Sequence, residues 1–223
     1  MSVGNAITPP RSTASAAACS ARSSGAEAVL RGGVIAFPTD TLYGLGCSLF
    51  DVSAVEMVAR LKRRDPSLAV ISLIPEPRQA WGLASEVSEV AERLIEKHWP
   101  GPLSLIFHAA AIVPPRVRGA GGTVALRCPK DVLCQRLLER IGGPVVSSSA
   151  NLSGQPSAQS AEEVQRVFGN QLDLVLDGGP RRGGLASTLV DVSGARPRLL
   201  RAGVLDVTAE LGDFIDARAG GAG

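Results

Sequence analysis

The sequence predicts a single α/β domain in which helices pack on a sheet. Strand-like runs of apolar and β-branched residues alternate with segments whose apolar residues recur every three or four positions, and this alternation favours α/β layering. The length of 223 residues fits one large domain, because domains run roughly 100–200 residues. In addition, the first strand-like run ends in a group of polar residues, and open α/β sheets hold ligands at the carboxyl ends of strands.

The strands are predicted from short apolar runs that proline, glycine or polar residues close. The first, 34–37, ends at Pro38, and the second, 70–74, is followed by Pro75 and Pro77, which do not continue an internal strand. The other strand-like runs are 103–107, 123–128, 145–146, 174–176, 188–192 and 198–200.

The helices are predicted from apolar residues at helical spacing and from their end signals. Ser53 and Glu56 have the spacing of a capping box at the start of the first helix. Pro100 stops the second helix, and Gly142 ends the third. The four predicted helices are 53–64, 86–98, 131–141 and 160–168.

Composition and charge exclude several classes of protein. Hydrophobic content of 45% and charged content of 20% are those of an ordinary soluble domain, and no apolar run approaches the roughly 20 residues that cross a membrane. The net charge of +2 is too small to identify a partner. The four cysteines form no C-x-x-C pair and the two histidines no H-x-x-x-H pair, so we expect no zinc site and a reducing, cytoplasmic setting.

The two ends of the chain differ in composition from the rest. Residues 1–25 contain no acidic residue and many Ser and Ala. We therefore expect a poorly ordered segment, although mitochondrial transit peptides share this composition. Residues 213–223 are rich in Gly and Ala and are expected to fray. The predicted domain covers 26–212.

Two segments carry candidate ligand-binding groups. The segment PTDTLYGLG at 38–46 follows the first strand, and its alternative interpretation is a core strand with a well-made turn. A hydroxyl-rich loop is predicted at 147–157, which contains five serines and Asn151. Its hydroxyls and backbone N–H groups can surround an anion, although it could also be a plain turn. It lacks the spacing of a P-loop, which excludes a Walker-type phosphate site.

Arg127 is singled out by strand parity. It shares one face of its predicted strand with Thr123 and Ala125, whereas Val124 and Leu126 point the other way. Burying an arginine among small residues is costly unless the guanidinium meets an anion, and a carboxylate fits its planar fork. The sequence leaves open whether this carboxylate belongs to a ligand or to an Asp or Glu of the protein.

In combination, the motifs resemble the YrdC-like threonylcarbamoyl-AMP synthase family over roughly residues 27–205. They occur in the order PTDTLYGLG at 38–46, KRR at 62–64, WPGPLSLIF at 99–107, TVALRCP at 123–129, SSANLSG at 148–154, STLVDV at 187–192 and LLRAG at 199–203. The resemblance implies the short form of the family: one YrdC-like domain with a twisted, mixed parallel and antiparallel sheet, flanking helices and a ligand cleft.

The resemblance also implies an activity. L-threonine, bicarbonate and ATP, with Mg²⁺, would give L-threonylcarbamoyl-adenylate and pyrophosphate, and downstream transferase proteins would use the product to modify tRNA beside the anticodon. The residues implied for threonine are Thr41, Tyr43, Arg127, Ser147 and Ser187. Those implied for ATP are Lys62, Arg64, Thr123, Ser149, Asn151, Ser157 and Arg201, with Lys62 and Arg64 in catalytic roles. No metal-ligating residue is implied.

The chain departs from the family after KRR, where relatives carry a polar or basic residue followed by proline or glycine. Leu68 and Ala69 stand there, so we expect an ATP contact to be lost or supplied by Arg63.

Two other functions are compatible with the motifs. One is an RNA-binding relative of the same fold, whose basic clusters at 60–64, 116–118 and 181–182 would track phosphates without catalysis. The other is carbamoyl transfer through carbamoyl-adenylate, as in hydrogenase-maturation proteins. Arg127 and the hydroxyl-rich segments favour a small-molecule site over the first, and the absence of zinc-binding and acylphosphatase-like segments disfavours the second.

Overall fold

A nine-stranded sheet organises the chain in this computed structural model, which describes residues 24–63, 70–181 and 184–212. The strands are β1 (Ile35–Pro38), β2 (Tyr43–Ser48), β3 (Ile71–Leu73), β4 (Leu103–His108), β5 (Thr123–Arg127), β6 (Val145–Ser149), β7 (Leu174–Val175), β8 (Thr188–Asp191) and β9 (Arg198–Arg201). Their order is β7-β1-β2-β6-β3-β5-β4-β8-β9. The pairs β1/β7, β3/β5 and β4/β8 are parallel and the other pairs antiparallel. The predicted mixed α/β fold is confirmed.

Helices cover both faces of the sheet. They are α1 (residues 24–30), α2 (Val52–Leu61), α3 (Ala80–Leu83), α4 (Glu89–His98), α5 (Val132–Ile141), α6 (Ala161–Phe168) and α7 (Thr208–Leu211). One apolar cluster packs α2, α4 and α6 against one face of the sheet. A second, smaller cluster packs α1 and α5 against Phe37, Leu73 and Val145 on the other face. The second face is therefore only partly covered.

The first predicted helix cap was wrong in its residue. Asp51, not Ser53, caps α2, and its carboxylate accepts a hydrogen bond from the Ala54 backbone N–H at 3.0 Å. Ser53 already lies inside the helix, and a carboxylate closing the same short ring is an equally good cap. Ser88, Asp131 and Ser160 cap α4, α5 and α6 in the same way.

The predicted hydroxyl-rich loop begins later than the sequence suggested. Strand β6 continues through Ser149 and pairs with β2, a segment for which the sequence predicted no strand. The glycines of β2 permit this pairing: a Cβ at Gly46 would lie 2.3 Å from the Val146 carbonyl oxygen, and one at Gly44 would lie 2.6 Å from Ser147 Oγ. Gly44 and Gly46 therefore mark a close approach of β2 to β6.

The predictions for 1–25 fall almost entirely, and those for 213–223 entirely, outside the described residues, as do those for Arg64, Leu68, Ala69 and Arg182. Within the part of the chain that the structure describes, no helix has the length and apolar character needed to cross a membrane.

Candidate functional site

A cavity of about 340 Å³ lies on the partly covered face of the sheet. Its floor is apolar and includes Ile71, Leu73, Ile106 and Ala125 from three adjacent strands. The volume is that of a small-molecule site. Eight of the predicted site residues line it: Thr41, Tyr43, Arg127, Ser147, Ser149, Ser157, Ser187 and Arg201.

Arg127 lies at the carboxyl end of β5 and is buried. Its Nε donates to the Gly101 carbonyl at 3.0 Å and its Nη1 to Thr41 Oγ1 at 3.1 Å. Its Nη2 donates to Asp40 Oδ1 at 2.6 Å. These bonds use three of the five guanidinium N–H groups and leave one on each terminal nitrogen. The guanidinium is therefore fixed in orientation and keeps donors for a ligand.

The sequence left open whether Arg127 pairs with a carboxylate of a ligand or of the protein, and Asp40 is such a protein carboxylate. The buried cation does have a protein carboxylate as its partner, since Asp40 forms an ion pair with it. Asp40 Oδ1 also accepts from the Lys130 backbone N–H at 3.3 Å. Arg127 nevertheless lines the same cavity as Ser149, so the internal pair does not close the site.

Lys62 does not line the cavity but is hydrogen-bonded to Ser149, a residue that does. It follows α2 directly and only 3% of it is exposed. Its Nζ donates to Asn151 Oδ1 at 2.7 Å and to the Ser149 carbonyl oxygen. Ser149 Oγ in turn donates to Asn151 Oδ1 at 2.6 Å. The Lys62 ammonium group is therefore fixed next to Ser149, whose hydroxyl belongs to the cavity.

The backbone of the hydroxyl-rich segment is largely engaged, contrary to expectation. Ser147–Ser149 belong to the β-sheet. Five backbone N–H groups after them each donate to a backbone carbonyl, namely those of Ala150, Asn151, Ser153, Gln155 and Ala158. An anion in the cavity would therefore meet the serine side chains of this segment rather than a ring of these backbone N–H groups.

Ser187 and Arg201 meet at the opposite wall of the cavity. Arg201 Nε and Nη2 donate to the Ser187 carbonyl at 3.1 and 3.0 Å, and Nη2 also donates to Ser187 Oγ at 3.2 Å. Ser187 Oγ lies 2.8 Å from Ser104 Oγ. Ser187, a residue implied for threonine binding, is therefore hydrogen-bonded directly to Arg201, a residue implied for ATP binding.

Tyr43 is fully buried, and its hydroxyl is occupied by the protein. The hydroxyl donates to the Gly179 carbonyl at 3.0 Å and accepts from the Gly178 N–H at 3.1 Å. Burial raises the pKa of this phenol above its ordinary value. Tyr43 is thus a neutral wall of the cavity at physiological pH.

The remaining predicted residues lie elsewhere. Thr123 does not line the cavity, and its hydroxyl donates to the Ala120 carbonyl at 3.0 Å. Described residues of two of the basic clusters are engaged by the protein: Arg116 pairs with Glu56 at 2.8 Å and Arg181 with Asp131 at 2.9 Å.

The three thiols that the structure describes are not poised for nucleophilic attack. Burial raises the pKa of Cys47 to about 12 and raises those of Cys128 and Cys134 as well. Among the described residues, no group of three or more His, Cys, Asp and Glu side chains is arranged to hold a metal ion. The cavity therefore offers hydroxyls and guanidinium groups as its chemistry.

Sequence reasoning missed Asp40 as the partner of Arg127 and Ser104 as the partner of Ser187. Asp40 was visible as the only carboxylate of its polar segment, and Ser104 as the only hydroxyl inside the apolar run LSLIF. Neither signal identifies its partner, because each contact joins segments more than 80 positions apart.

Comparison with known proteins matches this arrangement to a family. The sequence model of the Sua5/YciO/YrdC family, described as telomere recombination, matches residues 27–203. A threonylcarbamoyl-AMP synthase of Pyrococcus abyssi is 38% identical over 79% of this chain and 52% of its own length. A putative threonylcarbamoyl-AMP synthase of Mycobacterium tuberculosis is 38% identical over 79% of this chain and 81% of its own. The chain thus spans about half of the Pyrococcus relative.

Solved structures agree with the sequence matches. The crystal structure of P. abyssi Sua5 complexed with L-threonine superposes with a TM-score of 0.84 at 35% identity, over 89% of this chain and 59% of that one. E. coli YciO superposes with a TM-score of 0.79 at 30% identity, over 85% and 92% of the two chains.

Proposed function

The chain belongs to the Sua5/YciO/YrdC family, and from this premise we propose that it is a threonylcarbamoyl-AMP synthase. It would convert L-threonine, bicarbonate and ATP to L-threonylcarbamoyl-adenylate and pyrophosphate. The observation that carries the proposal is the cavity that unites Arg127, the β6 serines, Ser187 and Arg201. The relatives named for this activity and the L-threonine complex of P. abyssi Sua5 support it.

Threonine would bind at the Arg127 end of the cavity. Its carboxylate would accept from the two terminal guanidinium N–H groups that the protein leaves available, a charge-assisted contact with the planar fork. Thr41, whose hydroxyl already contacts Arg127, and Ser147 and Ser187 would supply further hydroxyls. Tyr43 would serve as a wall because its hydroxyl is occupied by backbone groups.

ATP would bind toward Ser149, Ser157 and Arg201. Lys62, with Asn151, holds Ser149 from below, and it could turn its ammonium toward a phosphate when ATP enters. Arg64 is proposed to act with Lys62 in stabilising the phosphates, and Thr123 to contact the nucleotide after a shift of its loop. Mg²⁺ would arrive with the triphosphate as part of the MgATP substrate.

The proposed mechanism needs alignment more than acid–base groups. Bicarbonate takes up a proton and loses water to give carbon dioxide, and the threonine amine adds to this carbon dioxide and loses a proton, which gives a carbamate. A carbamate oxygen then bonds to the α-phosphorus of ATP while the bond to the bridging oxygen breaks and pyrophosphate leaves. In such transfers, positioning and cationic stabilisation supply most of the barrier reduction. The protonated buried thiols are consistent with this, because no covalent intermediate is required.

The product is proposed to pass to downstream transferase proteins that modify tRNA in the cytoplasm. The RNA-binding alternative receives no support from Arg116 and Arg181, whose charges are already paired. If RNA were the ligand, filter binding would show affinity falling steeply with salt.

The deciding experiment is incorporation of radiolabelled bicarbonate in the presence of ATP, with each amino acid tested in turn. We expect labelled product and pyrophosphate with L-threonine. Labelled product that forms with ammonium in place of an amino acid would instead favour carbamoyl-adenylate chemistry, because ammonium then supplies the carbamoyl nitrogen. The absence of any ATP-dependent product would reject the enzyme proposal.

A further inference from the structure

A fully buried serine lies inside an apolar strand beneath the cavity. Ser104 of β4 is 0% exposed and stands between Leu103 and Leu105, which are equally buried. Ile106, two positions further along β4, lines the cavity, so Ser104 points to the same side of the sheet. A buried hydroxyl costs free energy unless it forms a hydrogen bond.

The partner of Ser104 is Ser187, a residue of the cavity wall. The two Oγ atoms are 2.8 Å apart, and no other partner of the Ser104 hydroxyl is found among the described residues. If Ser104 accepted this bond, its own proton would be buried without an acceptor, which costs the full desolvation of a donor. Ser104 therefore donates to Ser187.

The direction of this bond determines what Ser187 can offer to a ligand. Ser187 Oγ also accepts from Arg201 Nη2 at 3.2 Å. A hydroxyl oxygen has two lone pairs and one proton, so both of its lone pairs are occupied. Its proton is left for the remaining direction, and Ser187 lines the cavity. Ser187 is thereby a donor suited to an anionic oxygen and unsuited to an ammonium group.

We propose that Ser104 is a positioning residue that holds the Ser187 hydroxyl as a donor to an anionic oxygen of the threonine substrate. The inference rests on the proposed function and deepens it, because it assigns a hydrogen-bond polarity to the threonine side. Arg201 keeps two bonds to the Ser187 carbonyl, so loss of Ser104 leaves the ATP side in place.

The test is Ser104→Ala, with steady-state kinetics for both substrates. We expect the KM for L-threonine to rise about tenfold, the order of one hydrogen bond to a charged group, while kcat and the KM for ATP stay unchanged. Ser104→Thr keeps the hydroxyl and should restore the KM. In a Ser187→Ala background, Ser104→Ala should add nothing, since it acts through Ser187.

Ser72 provides a matched control. It is also a 0% exposed serine inside a strand, but its hydroxyl has no partner in the described residues and faces away from the cavity. Ser72→Ala should leave both KM values unchanged. The inference is overturned if Ser72→Ala raises the KM for threonine as much as Ser104→Ala does. It is also overturned if Ser104→Ala leaves the KM for threonine unchanged, or if the effects of Ser104→Ala and Ser187→Ala on that KM are additive.

A binding measurement separates this inference from the proposed function. Calorimetric titration with L-threonine needs no turnover, so a wild-type protein that binds threonine without making product would refute the reaction only. A Kd for threonine about tenfold weaker in Ser104→Ala would still support the hydrogen-bond assignment. An unchanged Kd in a fully active enzyme would refute the assignment only.

Discussion

At the scale of single residues, the ion pair between Arg127 and Asp40 explains how a positive charge is tolerated in a buried site before a ligand binds. The side chains of Arg127 and Asp40 are 5% and 17% exposed, so an unpaired guanidinium there would be strongly destabilising. Asp40 balances the charge and fixes the orientation, while Thr41 and Gly101 hold the other nitrogens. The site is therefore organised before any ligand arrives.

We expect Arg127→Ala to reduce kcat/KM for L-threonine by about 100-fold or more, because a charge-assisted contact is worth roughly 3 kcal/mol. The measurement is pyrophosphate release at varied threonine. The variant should also unfold at a lower temperature, since Asp40 loses its partner.

Arg118 is the matched control for this substitution. It also donates to backbone carbonyls, those of Ala110, Ala111 and Val113, but it lies outside the cavity lining. Arg118→Ala should lower the melting temperature and leave kcat/KM unchanged. Intact threonine-dependent activity in Arg127→Ala would contradict the assignment.

Sequence reasoning succeeded at residues whose environment is local and failed where the partner is distant. The parity of β5 predicted correctly that Arg127 and Ala125 share a face, and both line the cavity. Asp40 and Ser104 acquire their roles only when β1, β4, β5 and β8 converge in the sheet. No periodicity along the chain encodes that convergence.

At the scale of elements, the β2/β6 pairing carries one wall of the cavity. Gly44 and Gly46 pair with Ser149 and Ser147 across the two strands. Strand β2 was not predicted, because two glycines lower its β-propensity, and β6 was predicted only over 145–146, because three serines follow its two valines. The long apolar patterns of β4 and α5 were predicted within a residue or two of their bounds.

A glycine substitution tests this element. In Gly46→Ala, the new methyl would lie 2.3 Å from a backbone oxygen and 2.6 Å from Phe37, so the strands must separate. We expect a loss of about 3 kcal/mol in the free energy of unfolding, measured by urea denaturation. In Gly82→Ala, by contrast, the methyl would meet nothing within 4 Å, and α3 should be unchanged or up to about 1 kcal/mol more stable. Equal stability of the two variants would contradict the close approach of β2 to β6.

At the scale of the whole molecule, the cavity exists because the two faces of the sheet are covered unequally. Helices α2, α4 and α6 close one face, whereas α1 and α5 pack beside Phe37 and Leu73 and leave the strand ends near Arg127 uncovered. The sequence predicted the layers from alternating periodicities. It could not predict which part of a face stays open, because that depends on where each helix crosses the sheet.

The burial of three thiols makes the stability of the whole molecule depend on alkaline pH. Burial raises the pKa of Cys47 from its ordinary value of 9.0 to about 12, and burial raises the pKa values of Cys128 and Cys134 in the same direction. A raised pKa in the folded state means that the folded protein holds the proton more tightly than the unfolded chain. The resulting stability is fully present below pH 9 and is lost as pH rises from there toward 12.

We therefore expect the free energy of unfolding to fall between pH 8 and pH 10, with Cys47 alone contributing about 1.4 kcal/mol of the loss at pH 10. Urea denaturation under reducing conditions at several pH values measures it. Cys47→Ala removes one titrating thiol, so the variant starts less stable at pH 7, because it leaves a small cavity, but declines less steeply. The comparison of slopes, rather than of absolute stabilities, isolates ionisation from packing. Parallel slopes for Cys47→Ala and the wild type would mean that the Cys47 thiol ionises as readily in the folded protein as in the unfolded chain, which its complete burial in the β2 core argues against.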